Sequence, residues 1–185
     1  ASLDHLGWQL RQARQVPIEL IDKRALKEIE PHIADDFEAA ILIKQQGRAS
    51  DPAGIGIALA EKALAKGANH IQTKVQEIRP DQGSGCQLVT DQGVFTAKKI
   101  VLAAGVWSCQ LLTRFGIKLP LEAERGYHLV LRNPGITINH SVMDADQKYV
   151  ASLMQAGVRV AGTAEFAGLE AAPNYARARR FADQA

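Results

Sequence analysis

The stretch KKIVLAAGVWSCQLL, Lys98 to Leu112, decides how this chain is read. An apolar run from Ile100 to Ala104 stops at Gly105. A continuous apolar run suits a strand covered on both faces, as in a parallel sheet. After the glycine the spacing turns helical through Trp107, Leu111, Leu112 and Phe115, and Gly116 closes it. In open α/β sheets, ligands bind beyond the carboxyl ends of the strands. Glycine there lets another group approach the backbone. A helix start offers free N–H groups and partial positive charge. The segment therefore reads either as a cofactor-contacting strand–turn–helix or as a tight turn that holds nothing. Local sequence leaves both open.

Working outward, SDPAGIGIALAEKALAKGA (Ser50–Ala68) is the clearest helix. Asp51 is a good N-cap, Pro52 suits the first helical position, and Gly67 suits the left-handed C′ position. Ile55, Leu59 and Ala63, with Ala58 and Leu64, share one face. The two glycines of GIGIALA fall inside this helix and read as a packing feature. Ile71, Thr73 and Val75 alternate with polar neighbours and predict a strand. CQLVTDQGVFTA (Cys86–Ala97) predicts strand, turn, strand. Upstream, Ala25, Leu26 and Ile29 have helical spacing until Pro31, and Ala40–Lys44 is a short strand candidate. Downstream, Tyr127–Leu131 predicts a strand, Asn133–Gly135 a turn, and KYVASLMQAGVRVAGTAEF (Lys148–Phe166) two strands around Gly157. These patterns predict a mixed α/β (α+β) chain, part of an open sheet plus an antiparallel sheet.

Composition narrows the function. The 185 residues suffice for one ordinary domain or two small ones, with 46% hydrophobic and 23% charged residues. The 22 basic and 20 acidic residues nearly cancel, and no basic stripe carries interleaved aromatics, so nucleic acid is not an expected partner. Arg177, Arg179 and Arg180 read as a solvated helix face. No apolar run approaches the roughly 20 residues of a membrane span, and no signal peptide is visible. Cys86 and Cys109 have no metal-ligand spacing, so no metal is expected, and reduced thiols in a cytoplasmic setting are the simplest reading. The chain opens without Met and stops within a helical pattern, which reads as an internal piece of a longer protein.

Five loose motifs occur in one order: the Asp51–Pro52 helix start with its Lys66-Gly67-Ala68 end, Val75, IVLAAGVWS (Ile100–Ser108), LPLEAERGYHLVL (Leu119–Leu131) and VRVAGTAEF (Val158–Phe166). Together they resemble the amino-acid-oxidising flavoproteins: D-amino acid oxidase, glycine and sarcosine oxidases and, nearest, bacterial D-amino acid dehydrogenase. The resemblance implies FAD, a partial Rossmann-like FAD-binding fold and an antiparallel-sheet substrate domain. It implies substrate-domain parts at 1–48 and 120–166, a flavin-domain part at 49–119, and the start of a helix at 167–185. It also implies oxidation of an amino-acid C–N bond, with hydride passing to the flavin, in a parent protein that could touch a membrane surface or quinones. Sarcosine, glycine or another small 2-substituted acid on the same scaffold, or an isolated non-enzymatic domain, stay open.

The resemblance marks Val75, Ala103, Ala104, Gly105, Trp107 and Gly162 as cofactor-contacting. It marks Arg125, Tyr127 and Thr163 as candidates for the substrate side, with Glu165 on the segment that returns toward the flavin ring. Arg125 could hold a substrate carboxylate bidentately or pair with Glu122 or Glu124 beside it. Tyr127 shares a face with Leu129 and Leu131, and His128 points the other way. His5, His32, His70 and His140 sit in no visible constellation, and Cys109 reads as a buried helix residue. Trp107 reads mainly as packing. Two departures matter. The family's G-x-G-x-x-G turn is absent, and so are its last flavin-binding segment and its carboxylate-pairing arginine. The chain alone is therefore not expected to retain FAD.

Overall fold

A computed structural model describes residues 6–81, 83 and 85–184. In chain order the elements are α1 (Leu6–Ala13), β1 (Ile18–Asp22), α2 (Lys23–Ile29), β2 (Ala39–Ile43), α3 (Pro52–Ala65), β3 (Val75–Pro80), β4 (Cys86–Thr90) and β5 (Gly93–Ala97). Then follow α4 (Ser108–Leu112), β6 (Glu124–Leu131), β7 (Val142–Asp144), β8 (Tyr149–Met154), β9 (Gly157–Phe166) and α5 (Ala176–Gln184). Single 3-10 turns, Gly105–Trp107 and Thr113–Phe115, flank α4. The chain divides into two compact units. One holds the chain up to Gly56, Arg125–Glu165 and the segment from Ala172 onward; the other holds Ile57–Glu124 and Phe166–Ala171.

The first unit is built on a four-stranded sheet in the order β6-β9-β8-β7, with β8 antiparallel to both β9 and β7. Side chains two apart on a strand share a face. Val158 and Val160 therefore point together into a core that also holds Ile138 and, from α5, Phe181. Tyr149 meets the Phe181 ring edge-on at 6.5 Å, a favourable aromatic geometry. A two-residue turn joins β8 to β9, with Gly157 at φ 126°. A Cβ at Gly157 would also collide with the Leu131 backbone, so only glycine fits there. A second, two-stranded antiparallel ribbon pairs β1 with β2. Asp22 caps α2 by accepting from the Ala25 N–H at 2.8 Å.

The second unit is built on the antiparallel sheet β3-β4-β5, with α4 packed on β3. A register shift separates Val75 from Glu77. The hairpin expected over Cys86–Ala97 forms as read, with Asp91-Gln92 as its two-residue loop and Thr90 opposite Gly93.

The expected mixture of helix and antiparallel sheet is the fold observed. The helix at Pro52–Ala65 forms as its punctuation predicts. Asp51 Oδ1 accepts from the Gly54 N–H at 3.0 Å. At the far end Ala68 N–H reaches Ala63 O at 3.1 Å and Gly67 N–H reaches Leu64 O at 2.9 Å, a Schellman motif around Gly67 at φ 93°. Three readings need correction. Ile100–Ala104 forms no strand, and Val101 is 90% exposed; a strand needs at least one hydrogen-bonded neighbour, and none of the described strands pairs with it. The strand read from Ile71 starts only at Val75, because its partner β4 ends at Thr90 opposite that residue. The shared apolar face of α3 is not buried: Ile55, Leu59 and Leu64 are exposed. No helix among the described residues is long and apolar enough to cross a membrane.

Candidate functional site

Arg125 and Tyr127 lie on β6, Thr163 and Glu165 on β9, and Arg177 on the first turn of α5. The sheet order makes β6 and β9 neighbours, so strand pairing brings the first four residues together. Tyr127 is buried, yet its hydroxyl is doubly used. The O–H donates to Glu165 Oε2 at 2.5 Å, and the oxygen accepts from the Asn174 backbone N–H at 2.8 Å. A buried tyrosine needs such partners to offset the lost water. Tyr175 stands edge-on to its ring at 6.5 Å.

Glu165 is the centre of the group. Arg125 Nη1 approaches Glu165 Oε2 at 3.5 Å, and Arg177 Nε approaches Oε1 at 3.7 Å. These are ion pairs rather than hydrogen bonds. Arg177 Nη1 donates to Thr163 Oγ1 and to the Ala164 carbonyl, both at 3.3 Å. Two cations thus surround one carboxylate. The structure brings together all three substrate-side candidates, Arg125, Tyr127 and Thr163.

Several expectations change here. Arg125 pairs with Glu165, not with Glu122 or Glu124 beside it; Glu122 instead accepts from the Ala123 N–H. Arg177 leaves the solvated face expected for the Arg177–Arg180 cluster and turns onto β9, while Arg179 and Arg180 stay exposed. His128 is exposed, and His5 lies outside the described residues. His140 does have a partner. Its Nδ1 lies 2.7 Å from Glu30 Oε1, and the Glu30 carboxylate also accepts the Asn139 and His140 backbone N–H groups. Glu30 is only 2% exposed, so these donors replace its water. Cys109 is half-buried, with Sγ 3.7 Å from the Leu119 carbonyl.

The remaining candidates fall in both units. Val75, Ala103, Ala104, Gly105 and Trp107 belong to the second, and Gly162 to the first. Gly105 has φ 54°, and nothing lies within 4 Å of where its Cβ would stand. Trp107 N–H closes the turn onto Ala104 O at 3.2 Å, and its side chain is 60% exposed. At Gly162 the position of a Cβ is already taken, with Tyr149 Cα 2.6 Å from it. Sequence reasoning singled out neither the Glu165–Arg177 pairing nor Glu30. The pairing had a weak signal in the alternation of Thr163 and Glu165. Glu30 had none, because its partners lie 109 and 110 positions away.

The chain belongs to the DAO family, FAD dependent oxidoreductase, which matches residues 1–185. It is 36% identical over 178 residues to a D-amino-acid oxidase of Bradyrhizobium diazoefficiens, covering 96% of this chain and 42% of that protein. A D-amino acid dehydrogenase of the same organism is 31% identical over 175 residues, covering 91% of this chain and 42% of that protein. Among solved structures, glycine oxidase from Geobacillus kaustophilus matches with a TM-score of 0.78 at 25% identity, covering 93% of this chain and 46% of that one. The chain thus spans less than half the length of these relatives.

Gly105 stands in open space beside an exposed Trp107 and an exposed Ala103, so nothing there obstructs a bound group. No glycine-rich strand-to-helix turn for a pyrophosphate occurs among the described residues, since Gly54 and Gly56 lie inside α3.

Proposed function

We propose that this chain is part of a longer flavoenzyme that oxidises the C–N bond of an amino acid, in the manner of D-amino acid dehydrogenase. The second unit then carries part of the flavin fold and the first carries the substrate sheet. The observation that carries the reading is the convergence of Arg125, Tyr127 and Arg177 on Glu165, in a family whose named relatives act on amino acids.

FAD, when bound, supplies the hydride acceptor. Ala103, Ala104, Gly105 and Trp107 would lie against it, with Val75 at the start of β3. The chain's own residues bind and orient. Arg125 offers a guanidinium whose fork matches a carboxylate. Glu165 holds that fork in place and lowers the local positive charge. The Tyr127 ring excludes water from one side, and its hydroxyl fixes the Glu165 carboxylate. Thr163 holds the Arg177 side chain through its hydroxyl. Similarity to glycine oxidase supports a second reading, in which the substrate is glycine or another small amine on the same scaffold.

The test has two arms. The purified chain is incubated with FAD, desalted and scanned for flavin absorbance. Without a pyrophosphate turn it is expected to emerge colourless but folded. The gene product with its flanking sequence is then assayed with a dye acceptor against D-amino acids, glycine and sarcosine. Turnover of D-amino acids is expected to be the fastest; turnover of none of them would sink the proposal.

A further inference from the structure

A cavity of about 510 Å³ opens on the first unit between the β7–β8 turn, β9 and the start of α5. Its wall carries three cations, Lys148, Arg177 and Arg180, with Gln147, Thr163 and Asn174 as polar neighbours; no lining residue is acidic, although Arg177 also pairs with Glu165. Phe181 closes its apolar floor from the core. We propose that this cavity is a binding site for a compact dianion, a phosphate group or a dicarboxylate. The cavity shares Gly162, Thr163 and Arg177 with the residues named above for the cofactor and substrate side, and the proposal rests on the cavity's own charges.

Two features besides charge support a built site. Arg177 is not a loose surface cation: its bonds to Thr163 and to the Ala164 carbonyl fix the guanidinium at the cavity wall. A fixed fork loses less freedom on binding an anion than a free one. Lys148 is held in the left-handed region at φ 61°, where glycine is the favoured residue. The turn enforces this, because Lys148 N–H donates to Asp144 O at 3.0 Å while Asp144 Oδ1 accepts from the Asp146 and Gln147 N–H groups. Gly162 completes the arrangement. Any Cβ there would strike the Lys148 carbonyl and Tyr149, so the glycine lets the Lys148 backbone lie against β9 at the cavity edge. The first α5 amides are already used, Ala176 N–H by Asn174 Oδ1 and Arg177 N–H by Asn174 O, so the side-chain charges would carry the binding.

The experiment titrates inorganic phosphate, and separately malonate, into the full chain at ionic strength held constant with sodium chloride. Backbone amide signals of Lys148, Gly162, Thr163 and Arg177 report. A saturable shift confined to those signals is expected with at least one probe. Phosphate alone would assign a phosphoryl ligand, and malonate alone a dicarboxylate. Arg180→Gln removes one exposed charge and is expected to weaken binding about fivefold. Lys148→Gly is expected to weaken binding likewise while leaving the thermal midpoint unchanged or raised, because it relieves the left-handed lysine. No saturable shift with either probe, or unchanged affinity in both variants, overturns the proposal.

Discussion

The two units bury their apolar residues very differently. In the first, β9 and α5 close on one another, and Val160 is 1% exposed with Val158 and Phe181 beside it. In the second, Ile78 is a lone well-buried large apolar residue among those described, while Ile57, Leu59, Val101 and Trp107 face outward. Both regions have apolar sequence in regular patterns. The first completes its core with elements of this chain, and the second presents apolar surface that no described element covers. Hydrophobic patterning identifies a face that wants covering; it does not say what covers it.

The comparison can be broken by substitution. Phe181→Ala should cost about 3–5 kcal/mol, the usual loss for a large aromatic removed from a closed core. Val101→Ser, at an exposed apolar position, should stay within about 0.5 kcal/mol. Urea denaturation followed by circular dichroism measures both. Equal losses would mean that the second unit hides a core of its own. Tyr127→Phe should cost about 1–3 kcal/mol, since it strands the Asn174 N–H and takes a donor from Glu165. A loss below about 0.5 kcal/mol would restrict the first unit's advantage to its apolar contacts.

The smallest effect belongs to the second unit. The Thr73 hydroxyl, followed by the Lys74 backbone N–H, bonds Asp91 and holds its carboxyl below the ordinary carboxylate value. A depressed folded pKa contributes stability that is complete above the unfolded value and is lost as pH falls through the folded one. The wild-type chain should therefore lose stability on acidification below about pH 4, and Asp91→Asn should flatten that loss. Denaturation midpoints across acidic pH decide it; parallel curves for the two proteins would remove Asp91 from the account.

How much of this was legible depends on how local the chemistry is. The α3 helix was readable end to end, because Asp51, Pro52 and Gly67 act within a turn of where they stand. The β4–β5 hairpin was readable for the same reason. Ile100–Ala104 misled because a strand is a relation between segments, and its own residues state only that they are apolar. At the candidate site, Arg125, Tyr127 and Thr163 come from the family resemblance rather than from any local pattern. That Glu165 pairs with Arg125 was not legible, since nearer glutamates compete in sequence and only strand order favours the distant one. Phe181, a single aromatic in a basic helix, gave no sign that it would anchor the core.

The Asp51 cap has a corollary. A Cβ at position 54 would come within 2.9 Å of the Asp51 carboxyl carbon, so a side chain there obliges the capping carboxylate to shift. Alanine at 54 would add about 1 kcal/mol of helix propensity and endanger a cap of similar worth. The exchange therefore reports how far the Asp51 carboxylate can shift and still cap. A double-mutant cycle over positions 51 and 54 would read that accommodation as a coupling energy.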